Sequence, residues 1–104
     1  MVETKQDGHR QNKRVSFIKE IEVVEVGIQR CSDISIGGLY LETVHHFPMG
    51  TLIDLRFKLH DADEHVIQVQ ARVLYVHEGV GIGLGFVNLN PDDHVRITKF
   101  IEQR

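Results

Sequence analysis

The chain has 104 residues, 41% hydrophobic and 26% charged, which is the make-up of one small domain around one compact core. Its formal net charge of -3 and pI near 6.1 exclude bulk binding to DNA or RNA, which needs a surface that neutralises many phosphates. The single cysteine, Cys31, excludes an intrachain disulfide and a paired-cysteine zinc site and fits a reducing cytoplasmic setting, and no apolar run reaches the length of a membrane span.

Residues 1–13 are hydrophilic and unperiodic, without the apolar stretch of a secretory signal, and read as a flexible N-terminal arm. The arm ends in a basic cluster, Arg10-Gln11-Asn12-Lys13-Arg14, preceded by His9. Two arginines four residues apart offer forked donors for phosphate oxygens and flat cations for stacking on a base. From residue 14 the texture changes to strands. Val15, Phe17, Ile21, Val23, Val24 and Val26 form a β-rich run ending at Gly27. A second strand over Ile28–Ser35 contains Asp33-Ile34-Ser35-Ile36-Gly37-Gly38, in which a carboxylate and a hydroxyl precede a glycine turn.

A third strand over Leu39–Thr43 places Leu39 and Leu41 on one face and Tyr40 and Glu42 on the other. After a loop at His46–Gly50, Ile53, Leu55, Phe57 and Leu59 alternate with polar residues. The next alternation points Ile67, Val69, Ala71, Val73 and Tyr75 inward and Gln68, Gln70 and Arg72 outward. Val80, Ile82, Leu84 and Phe86 then alternate with Gly81, Gly83 and Gly85. This glycine run lacks the lysine and following helix of a phosphate loop, and reads as a strand packed closely on a neighbour. Asn90-Pro91-Asp92-Asp93 opens a helix over about residues 91–103 (a capping side chain, a proline at the first position and acids at the positive end), with Val95, Ile97, Phe100 and Ile101 as its apolar stripe. Six strands, each with one apolar face, followed by one helix predict an all-β fold: an antiparallel barrel closed to remove its edges. The seven histidines show no metal-ligand spacing, and no metal is expected.

The chain resembles the PilZ domain family. The resemblance rests on Arg10 and Arg14, on Asp33, Ser35 and Gly38, on the Leu39–Thr43 strand, on Gly81–Phe86 and on the helix start at Asn90–Asp93, and it covers the chain from the end of the arm. It implies a six-stranded antiparallel β-barrel and a receptor for cyclic di-GMP, a bacterial second messenger, with no catalytic activity and no other cofactor. Carried over by residue, Arg10 and Arg14 engage phosphates and a guanine face, Asp33 and Ser35 read a guanine, and Gly38 keeps the backbone clear of the ligand. Gly37 and His9 are outer members of this set, and His9 leaves open whether one or two nucleotides bind. Asp33 can accept from guanine N1–H and the exocyclic amine together, a pair that adenine does not offer. The expected partners are the nucleotide and an unidentified downstream protein. The alternative reading is a protein-interaction adaptor of the same fold that binds no nucleotide.

Overall fold

In the computed structural model, residues 13–104 are described, so Arg10 and His9 lie outside the described residues. Alternating apolar positions build six strands: β1 Val15–Val23, β2 Gly27–Ile34, β3 Gly38–Glu42, β4 Leu52–Phe57, β5 Ile67–His77 and β6 Gly81–Val87. All neighbours are antiparallel, and they close into a barrel in the order β1-β2-β3-β6-β5-β4. The inward residues form one core that includes Phe17, Ile21, Ile34, Leu39, Leu41, Leu55, Val73, Ile82 and Leu84. The expected β-barrel is therefore the observed fold. Among the described residues, no helix is long and apolar enough to cross a membrane.

Helix α1, Pro91–Glu102, follows β6 and packs against the barrel. The Asn90 side chain accepts from Asp92 N–H at 2.8 Å and caps it. Ile97, Phe100 and Ile101 are buried, and Phe100 meets Phe17 edge-on at 5.3 Å between ring centroids. Val95, expected in the apolar stripe, is 50% exposed. It lies two residues from Ile97, about 200° around the helix, whereas Asp93 shares the buried face with Ile97, Phe100 and Ile101. Asp93 is satisfied there by two donors, His65 Nε2 and Arg96 Nη1, each 2.8 Å from Oδ1.

Two other expectations are corrected. The first strand stops at Val23 rather than running to Val26. Val26 N–H donates to the Val23 carbonyl at 3.0 Å, and Glu25 (φ 70°) and Gly27 (φ 125°) turn the chain. Tyr75 does not point inward. The register shifts between Val73 and Tyr75, so both Leu74 and Tyr75 face outward and Val76 returns to the core. One extra residue in a strand inverts the faces of everything after it, which a strict two-residue alternation cannot show.

Candidate functional site

β1 and β2 pair so that Ser16 stands opposite Asp33 and Val15 opposite Ile34. This register places Arg14, just before β1, beside the end of β2. Arg14 Nη1 lies 2.7 Å from Asp33 Oδ1, and both side chains remain partly exposed, at 40% and 34%. Asp33 is aimed outward by local irregularity on both sides. The β1–β2 register shifts between Ser16 and Lys19, and the β2–β3 register shifts between Cys31 and Asp33. Cys31 and Ile34 are both buried, and the two residues between them reach the outer face. Bulges re-aim side chains in this manner beside functional sites.

Ser35 is 4% exposed and its hydroxyl is turned into the chain reversal. It accepts from Gly37 N–H at 3.2 Å and donates to the Gly38 carbonyl at 3.3 Å, which also accepts from Ser35 N–H at 2.8 Å. Gly37 is anchored by its carbonyl, which accepts from Phe86 N–H at 2.8 Å. Gly38 pairs with Gly85 on β6, and a Cβ at Gly38 would collide with the Leu84 carbonyl. The neighbouring strand therefore already demands glycine at Gly38. Cys31, beneath Asp33, is fully buried; burial, followed by the Asp33 charge, pushes its thiol pKa up to about 12, so it stays protonated and unreactive.

The structure thus brings together Arg14, Asp33, Ser35, Gly37 and Gly38. It also adds three residues absent from the expected site. Asp33 pairs with Tyr40, Tyr40 with Gly83, and Gly83 with Tyr75, so one row crosses β2, β3, β6 and β5. A Cβ at Gly83 would run into the Tyr75 ring, and one at Gly81 would meet the Tyr40 ring, so the glycines form a floor for these side chains. Tyr75 and His77 rings are 5.1 Å apart, Tyr40 and His77 rings 5.8 Å, and Tyr40 Oη is 3.0 Å from His77 Nδ1. Burial, then the nearby Tyr75, Glu42 and Asp33, raise the Tyr40 pKa and keep its hydroxyl protonated. The legible signal for this cluster is the alternation of three glycines on β6, which marks outward positions where a neighbour's side chain lies flat.

A separate concavity of about 310 Å³ lies between α1 and the β4–β5 connection, lined by residues that include His60, His65, Arg96, Lys99 and Phe100. It contains none of the expected ligand residues. Among the described residues, no three His, Cys, Asp or Glu side chains gather to hold a metal.

The sequence pattern of the PilZ domain matches residues 8–103. The chain belongs to the PilZ domain family. A sequence comparison with curated proteins returned no match. Among solved structures, the fold is similar to the Bacillus subtilis inhibitor of motility MotI/DgrA, with TM-score 0.80 and 20% identity over 91% of this chain and 50% of that one. It is also similar to Escherichia coli YcgR in complex with c-di-GMP, with TM-score 0.67 and 15% identity over 90% of this chain and 45% of that one. The Borreliella burgdorferi PlzA protein in complex with c-di-GMP matches with TM-score 0.58 and 14% identity, over 92% of this chain and 37% of that one. The chain spans half the length of MotI/DgrA and less of the other two.

Proposed function

We propose that this PilZ domain is a cyclic di-GMP receptor that signals to a partner protein. The observation that carries the reading is the Arg14–Asp33 pair on the outer barrel face, with an arginine fork and a carboxylate side by side and both open to solvent. The arginine meets phosphate or stacks on a guanine, and Asp33 accepts from guanine N1–H and the amine. Ser35 and Gly38 act by building the reversal that fixes Asp33. Two of the similar structures, YcgR and PlzA, are complexes with c-di-GMP, which supports the choice of ligand.

In this reading Arg10 joins from the arm, and the arm changes conformation when the nucleotide binds, giving a partner a surface that reports occupancy. Hydrogen exchange over residues 1–14 with and without nucleotide tests this second step, and identical exchange in both states contradicts it. Titration calorimetry tests the first. Cyclic di-GMP binds with a Kd of about 1 μM or below, near -8 kcal/mol, whereas GMP, GTP and cyclic di-AMP bind much more weakly. Equal affinity for cyclic di-AMP contradicts the role of Asp33, and absence of binding favours the nucleotide-free adaptor.

A further inference from the structure

The row Asp33–Tyr40–Gly83–Tyr75 crosses four adjacent strands. At about 4.8 Å between strands, it spans roughly 14 Å of outer surface. His77 lies one outward position along β5 from Tyr75, paired with Gly81. A cyclic dinucleotide carries two bases, and Asp33 accounts for reading only one of them. Beyond Asp33 the row carries two tyrosine rings on a glycine floor and a histidine held by a tyrosine hydroxyl.

We propose that His77 is a second base-reading residue, donating from Nε2 to O6 of the guanine that Asp33 does not contact. The proposal rests on cyclic di-GMP binding at Arg14 and Asp33. Tyr40 Oη is 3.0 Å from His77 Nδ1. With the hydroxyl donating, Nδ1 accepts and the ring proton of neutral His77 sits on Nε2. The free ring edge then offers a donor. Guanine has the acceptor O6 where adenine carries an amine donor, so a donor aimed at that position favours guanine over adenine. Tyr40 is thereby a positioning residue: its hydroxyl selects the tautomer, and its ring flanks the histidine.

The test compares cyclic di-GMP with 3′,3′-cyclic GMP-AMP, the mixed dinucleotide with one guanine and one adenine, by titration calorimetry. The mixed ligand satisfies Asp33 with its guanine and leaves adenine for His77. The unaltered protein prefers cyclic di-GMP by about tenfold or more. His77→Ala binds the two ligands with matched affinity, Tyr40→Phe narrows the preference, and His77→Gln, which keeps a donor, retains part of it. Circular dichroism melts confirm that each variant is folded. Equal binding of both ligands by the unaltered protein, or full preference in His77→Ala, overturns the role of His77 while leaving the Arg14–Asp33 site standing. Failure of cyclic di-GMP to bind the unaltered protein overturns both.

Discussion

Arg14 and Asp33, 19 residues apart in the chain, meet at 2.7 Å through Nη1 and Oδ1. The contact joins the basic motif to the acidic one before any ligand arrives. An exposed pair of this kind contributes at most about 1 kcal/mol to stability. Its value lies in orientation, because each group holds the other at the outer face of the barrel. Substituting either residue is therefore expected to impair binding far more than folding. Arg14→Ala and Asp33→Ala should each weaken cyclic di-GMP binding by about 5- to 150-fold, the range of a bidentate guanine contact. Calorimetry gives the affinity, and a thermal melt shows whether the fold survives.

Gly38 makes the opposite prediction. A methyl group there falls on the Leu84 carbonyl of β6, where only a backbone shift can relieve the clash. Gly38→Ala should destabilise the barrel by about 1–3 kcal/mol or more, the scale of forced overpacking. Gly37→Ala is the control, since a Cβ at Gly37 meets only the Ser35 hydroxyl, at 4.0 Å. Urea unfolding of the two variants should separate them clearly.

Cys31 sets an alkaline limit on stability. Its thiol is pushed from the ordinary 9.0 up to about 12, first by burial and then by the charge of Asp33. A folded-state pKa above the unfolded one contributes stability that is complete below the unfolded value. That stability is lost as pH rises from about 9 to about 12, at no more than about 1.4 kcal/mol per pH unit. Cys31→Ala should lower stability overall through its cavity, yet flatten the decline across that window. Thiol labelling of the unaltered native protein should be slow until the chain is unfolded.

The strands were legible because their alternation is local: Ile53 to Phe57 and Ile67 to Val73 declare their faces residue by residue. The motif residues were legible for the same reason, as short patterns of chemistry. What the sequence does not display is pairing. The register shifts at Ser16/Lys19, Cys31/Asp33 and Val73/Tyr75 belong to two strands at once. They decide that Asp33 points outward beside Arg14 and that Tyr75 leaves the core. The Ser35 hydroxyl also bonds Gly37 and Gly38 within the chain reversal, a local turn that a spacing motif does not display. The aromatic cluster is not legible in the sequence because Tyr40 on β3 meets Tyr75 and His77 on β5 only through the closed barrel, and Tyr75 faces outward only because of the β5 register shift.

The central claim is that cyclic di-GMP binds on the outer face where Arg14 meets Asp33. Backbone amide chemical shifts followed during a cyclic di-GMP titration test it directly. The largest changes should fall on Arg14, Ser16 and Asp33 through Tyr40, with little change in α1. A spectrum that does not change, or changes confined to the groove of His60, Arg96 and Phe100, would contradict it.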